Sequence, residues 1–271
     1  MKDKDLSILL RIEGGTADDG VLDIYDAANT MYGMARAVNL VSHAFSNDGV
    51  IKKRCDTASG AQAFVHSSIK GCFEEQVDLC FTPKIRNKIG KSVIANVFWD
   101  YLTWCWSASN GIKYQPETPY VKKFMKKDSE FIYEIADILE SPMQFIHKAI
   151  RRNNDVKIFI SRPRKGDLIK LNSETFNYVT TREESNTIEL IEGNVTRFNV
   201  LSDFGRLFSD SENRVVSFEM IKGTKRMKRL AIDSMKDKIA EEDGKLQFKV
   251  TKVISGQGIV KRYLVHAINT I

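Results

Sequence analysis

This chain is poor in the features that mark enzymes and exported proteins. Five prolines in 271 residues leave little room for a long structureless linker. Its four cysteines, Cys55, Cys72, Cys80 and Cys105, show no CxxC spacing and no histidine at ligand-like intervals. That excludes a zinc module and favours reduced thiols in a cytosol. No apolar h-region follows Met1-Lys-Asp-Lys, so no secretory signal is expected. Nor is there a run of about 20 apolar residues of the kind a spanning helix needs. The nearest candidate, Val93 to Trp106, is shorter and contains Asp100, and it reads as a buried or interfacial helix. There is no P-loop and no GxGxxG, and Gly14-Gly15 and Gly256-Gln257-Gly258 read as turns. No cofactor and no metal are therefore expected.

What is present describes a globular protein. Hydrophobic residues make up 42% and charged residues 28% of the chain, enough to build one sizeable core or two smaller ones. An excess of 41 Lys+Arg over 35 Asp+Glu gives a net charge of +6, which permits an anionic partner without requiring one.

The organising stretch is Ala61 to Phe81. Ala61, Ala63 and Val65 alternate with polar or opposite-facing residues, and Phe73, Val77, Leu79 and Phe81 share a side. With Lys70-Gly71 at the bend, this predicts a β-hairpin. Before it come a strand at Leu6 to Ile12 and an amphipathic helix over Val21 to Phe45, with Asp18, Asp19 and Asp23 near the helix start. After it come the apolar helix at Ser92 to Ser107 and helices at Tyr120 to Lys127, Ser129 to Glu140 and Ser141-Pro142 to about Arg152. Asn153-Asn154-Asp155 reads as a boundary. Beyond it, short strands begin at Val156 and include Leu168 to Leu171, Phe176 to Thr181, Thr187 to Val195, Arg197 to Leu201, Gly205 to Phe208 and Arg214 to Met220. A helix at Lys225 to Ala240 and two further strands complete the chain. The expected class is α+β. Residues 1–153 form a small antiparallel sheet covered by helices, and residues 154–271 form a small β-barrel with one helix.

Several groups could carry chemistry. Arg36 and His43, about two turns apart on one helix face, resemble the Arg-x4–6-His signature of all-helical, metal-independent ribonucleases. Cys72 at the hairpin bend and His66 on the facing arm form a conceivable thiol pair. Asp18, Asp19 and Asp23, and Glu74-Glu75, are paired acids whose simplest role is dipole complementarity and surface charge. Lys222, Lys225, Arg226, Lys228, Arg229, Lys261 and Arg262 are basic, as are Arg162, Arg164 and Lys165. On a barrel bearing Phe198, Phe204 and Phe208, the first set suits single-stranded nucleic acid, RNA or DNA, through phosphate contacts and base stacking. Phe98, Trp99, Tyr101, Trp104 and Trp106 surround their helix, which must be buried on every side. An assembly interface with a second copy or a partner protein would do this, as would the chain's own core.

Gly14-Gly15, Tyr25-Asp26-Ala27-Ala28, Lys70-Gly71-Cys72-Phe73 and the Phe98 to Trp106 helix resemble the pattern of an uncharacterised family of two-domain bacterial proteins. Cys72 stands where that pattern has serine. The resemblance carries no established activity, and it implies an accessory role such as anti-phage defence. The expected function is a non-enzymatic, self-assembling or partner-binding cytoplasmic component whose barrel contacts nucleic acid or protein. The alternative is a ribonuclease using Arg36 and His43.

Overall fold

Strict alternation decides the first strand. In β1 (Leu6–Glu13), Leu6, Ile8, Leu10 and Ile12 are buried in a hydrophobic core, while Ser7, Leu9, Arg11 and Glu13 take the opposite face. The computed structural model describes residues 4–66, 73–129, 131–181, 183–240, 242–255 and 259–271. The chain divides into two compact units, Met1–Val179 and Thr180–Ile271.

In the first unit, β2 (Ala61–Val65) and β3 (Phe73–Phe81) pair antiparallel, with Ala61 opposite Phe81 and Val65 opposite Val77. The expected bend at Lys70-Gly71, with Cys72, lies outside the described residues. β1 pairs with β3 on one side and with β4 (Lys157–Arg162) on the other, and β5 (Gly166–Leu171) closes the order β2-β3-β1-β4-β5. The two strands after Asn153 therefore complete the first sheet instead of opening the barrel. The division falls at 179/180 and not at 153/154.

Helices supply the other layer of the core. Asp23 caps α1 (Ile24–Ser46), its carboxylate accepting from the Tyr25 and Asp26 N–H groups at 2.9 and 3.2 Å. α2 (Pro83–Ile89) follows the hairpin, α3 (Ile94–Ser109) is the aromatic helix, and α4 (Pro119–Lys127) starts from a Thr118 cap. α5 (Phe131–Ile146) runs straight through Ser141-Pro142, which the sequence reading takes as a new start. α6 (Lys148–Arg152) follows. Residues 176–180 of the segment read as a strand belong instead to α7 (Ser173–Thr180). The reason is local: the Asn172 side chain accepts from the Glu174 and Thr175 N–H groups at 3.0 and 3.1 Å, a helix start that outweighs the β-propensity of Phe176, Tyr178 and Val179.

His147 ties α7 to α5. It is fully buried, with Nδ1 2.7 Å from the Met143 carbonyl oxygen and Nε2 2.9 Å from Thr175 Oγ1. Burial pulls its pKa from 6.5 to about 4, against the opposing pull of the Met143 carbonyl. The unfolded chain then binds a proton that the folded chain refuses, so stability is full above pH 6.5 and falls as pH drops towards 4. The expected loss is about 3 kcal/mol. Urea midpoints at pH 7 and pH 4 check it: His147→Gln should flatten the fall by that amount, and an unchanged slope would contradict the assignment.

The second unit is a closed ring. β6 (Glu183–Asn199) is one long strand where two were expected, and it pairs with β7 (Phe204–Ser209). A register shift between Val195 and Arg197 bends it, so its two ends serve different neighbours. β8 (Arg214–Met220), α8 (Lys225–Ile239), β9 (Leu246–Ile254) and β10 (Val260–Thr270) complete the unit. The closed order is β10-β8-β7-β6-β9, with β9 also paired to β10. β10 and β8 run parallel and the other neighbours antiparallel. Counted within the unit, the strands follow 1-2-3-5-4 with the helix between the third and fourth, the Greek-key order of an OB-type barrel. Phe218, Phe248 and Tyr263 fill its interior, and Met227 and Ala231 of α8 join them. Gly205 is required by that filling, because a Cβ there would meet the Phe218 ring at 2.4 Å.

Candidate nucleic-acid interface

Pleating sorts β7 cleanly. Gly205, Leu207 and Ser209 turn inward, Ser209 bonding the Tyr263 hydroxyl at 2.9 Å. Phe204, Arg206 and Phe208 therefore lie on the outer face. Register extends that face sideways: Arg197 of β6 stands opposite Arg206, Arg206 opposite Ser217 of β8, and Ser217 opposite Arg262 of β10. One row crossing four strands thus carries three arginines. Phenylalanines occupy β7 on either side of it, Phe204 opposite Glu219 and Phe208 opposite Val215.

The row is partly organised already. The Arg262 guanidinium lies over the Phe204 ring, 5.1 Å from its centroid, and its Nη1 is 3.4 Å from Glu219 Oε2. Arg206 is buried at the centre, Arg197 is exposed, and Phe208 is 36% exposed. Arg197 and Arg262, the accessible arginines of the row, stand beside aromatic rings, an arrangement that can bind phosphates and stack bases together.

The basic residues singled out in the sequence divide. Lys228 is spent as a clamp: its Nζ is 2.5 Å from Asp203 and donates to the Val200 carbonyl at 3.0 Å, fixing the loop between β6 and β7. The Met220 N–H bonds the Asp203 carbonyl at 3.0 Å, which sets the end of β8, and hence the start of α8, at the Phe204 end of the face. Lys222, Lys225, Arg226 and Arg229 are exposed there. Lys261 sits at a register shift in β10, next to Arg262. Phe198 is not on the face. It stacks inside on Phe218, with ring centroids 6.0 Å apart. Sequence reasoning missed Arg197 and Arg206, and the one signal for them was their place in the alternation around Phe204 and Phe208.

The remaining candidates lie in the first unit. Arg36 donates to Ser141 Oγ at 3.3 Å and lies near the Tyr32 and Phe145 rings. His43 is buried, its Nδ1 accepting from the Ser59 N–H at 3.2 Å, and burial followed by the nearby Lys52 charge lowers its pKa. The two side chains engage different elements. His66 meets Asp78, Nε2 to Oδ2 at 2.6 Å, while Cys72 lies outside the described residues. Burial works to raise the Asp78 pKa, but hydrogen bonds from Ser7, Gln76, His66 and Lys4 prevail and hold it at about 2. Asp23 is a helix cap, and Asp18 accepts from the Gly14 N–H at 2.7 Å. Glu74 stands opposite Arg11. Arg162, a first-unit residue, donates to Asn96 at 2.9 Å. Phe98, Trp99, Tyr101, Trp104 and Trp106 are all buried within the first unit's own core, around Phe45, Phe124 and Phe131. That corrects their assignment to an assembly interface, since the chain already covers them. Cys55 and Cys105 are buried free thiols. Among the described residues, no helix is long and apolar enough to cross a membrane, and no cluster of three or more His, Cys, Asp or Glu could hold a metal ion.

Fold and site together define a two-unit α+β protein whose second unit is an OB-type barrel with a basic, aromatic outer face. The chain belongs to the family described as Domain of unknown function (DUF7946), which matches residues 8–180. That match ends where the first compact unit ends, so the barrel lies beyond it. No curated protein and no solved structure matches the chain.

Proposed function

We propose that the barrel binds single-stranded nucleic acid across β7 and β8, and that the protein acts as a binding component and not as an enzyme. The observation that carries this is the single row Arg197–Arg206–Ser217–Arg262 flanked by Phe204 and Phe208. Phosphates would meet Arg197, Arg262 and the exposed N-terminal half of α8, with Arg206 buried beneath them, while bases would stack on the phenylalanines. Self-association through α3 is not part of this reading. A cytosolic setting is supported by the free thiols, and following the resemblance we place the protein in an anti-phage system.

Fluorescence anisotropy with labelled oligo-uridine and oligo-thymidine tests the site. Wild type should bind at low salt and weaken as salt rises, with a slope of about 0.7 per phosphate contacted. Phe208→Ala should cost about 1–3 kcal/mol at any salt. Arg197→Glu with Arg262→Glu should lower both affinity and slope. Lys238→Glu, at the far end of α8, should leave binding unchanged. Absence of binding by wild type, or equal binding by the face variants, would overturn the proposal.

A further inference from the structure

A second surface, in the first unit, presents a sheet edge and an apolar groove side by side. β2 is the outermost strand of its sheet, and among the described residues its only strand neighbour is β3. The His66 N–H bonds the Gln76 carbonyl at 3.0 Å, and the Thr82 N–H bonds the Gly60 carbonyl at 2.9 Å. Even-numbered residues of this stretch therefore turn their main chain towards β3, and Ala61, Ala63 and Val65 turn theirs to the opposite side. Their side chains share the face of Val77, Leu79 and Phe81. There they line a groove of about 510 Å³ whose opposite wall is Met31, Met34 and Val38 of α1.

Three features fit this edge to one kind of occupant. First, it is unguarded: Ala61–Val65 contains no proline and no charged residue, and its pairing with β3 has no bulge. Strands that must stay unpaired normally carry such protections. Val65 is 58% and Phe64 46% exposed. Second, the groove is floored by alanines, so the space beside the edge is open to side chains brought by another strand. A chain hydrogen-bonded to Ala63 and Val65 would aim every second side chain between β2 and α1. Third, exposed Lys52, Lys53 and Arg54 lead directly into the loop at 56–58 that forms another wall.

We propose that this groove takes an extended segment of a partner protein by strand addition to β2, with apolar side chains at alternate positions and an acidic flank. Main-chain bonds would hold the segment, and the α1 wall would select its apolar residues. A second copy of this chain is the poorer occupant, because its own β2 would bring only Ala61 and Ala63 and its Val65 to the space.

Panning a random peptide phage library on the full-length protein tests this. Enriched peptides are expected to carry apolar residues at i and i+2 beside acidic ones. N-methylation at alternate residues should weaken a selected peptide at least about tenfold, since each methyl removes a strand donor. Ala63→Leu, which fills the groove, and Ala63→Pro, which removes an edge N–H while leaving the β3 pairing intact, should each abolish enrichment. Far-ultraviolet circular dichroism identifies a variant that has failed to fold, in which case the other decides. Any of four results would overturn the proposal: no enrichment, apolar residues at helical spacing, indifference to N-methylation, or a β2-dependent dimer that binds no peptide.

Discussion

Gly33→Val is expected to unfold the first unit under conditions where the wild type is stable. α1 and α5 cross at Gly33. A Cβ there would lie 2.6 Å from the Pro142 carbonyl oxygen, 2.8 Å from the Ile146 nitrogen and 2.9 Å from Ile146 Cγ1. Two of those atoms are backbone, so no rotamer relieves the contact and the helices must separate. Thr30 Oγ1, one turn earlier, would be drawn from the Ile146 carbonyl it bonds at 3.2 Å. Overpacking of this kind costs about 1–3 kcal/mol for modest intrusions and more for larger ones. Gly33→Ala already tests the sign. Helix propensity alone favours alanine by about 1 kcal/mol, whereas the crossing predicts a net loss of about 2 kcal/mol. A urea midpoint that rose on Gly33→Ala would show that the helices yield and would contradict this account of the crossing.

The second large effect is at Asp100. Its carboxylate is buried beneath the segment that leads into α4, and it accepts from the Tyr114 hydroxyl at 2.8 Å, the Glu117 N–H at 3.0 Å, the Thr118 N–H at 2.7 Å and the Thr118 hydroxyl at 2.5 Å. Burial, and then the Asp100 bond, hold the Tyr114 phenol above its usual pKa. Asp100→Ala removes the acceptor for four donors at once, each costing about 1–3 kcal/mol when left buried and unmade. We expect a total loss of about 4 kcal/mol after relaxation, with Asp100→Asn intermediate because it keeps one carbonyl oxygen. Denaturant unfolding followed by tryptophan fluorescence measures it directly, since α3 carries Trp99, Trp104 and Trp106. Equal stability of Asp100→Ala and wild type would refute the role.

What could be read from the sequence is what local periodicity controls. The alternation of β1, the β2–β3 pairing, the long α1 and the all-round apolar α3 are all written in spacing. Choice of partner is not. Lys157–Arg162 and Gly166–Leu171 alternate as strands of either unit would, and only the antiparallel register of β4 on β1 assigns them to the first sheet. The same holds for α3. Its sequence says that it is buried on every side, but not whether a neighbouring molecule or its own Phe45, Phe124 and Phe131 bury it. At the barrel face, Arg197, Arg206 and Arg262 are scattered along the chain. The shift between Val195 and Arg197 decides which β6 residue stands beside Arg206, and one residue of slip would send Phe198 outward in place of Arg197. Lys228 shows the converse, a residue correctly seen as basic whose charge is consumed by Asp203.

The proposed binding places a nucleic-acid strand across β7 and β8 of the barrel. The most direct measurement is photo-crosslinking of the full chain to a short 5-iodouracil oligonucleotide at low salt, with the modified residues mapped by mass spectrometry. Bases stacked on the barrel face should crosslink at Phe204 or Phe208. Crosslinks confined to the first unit or to the C-terminal half of α8, or none at all, would contradict it.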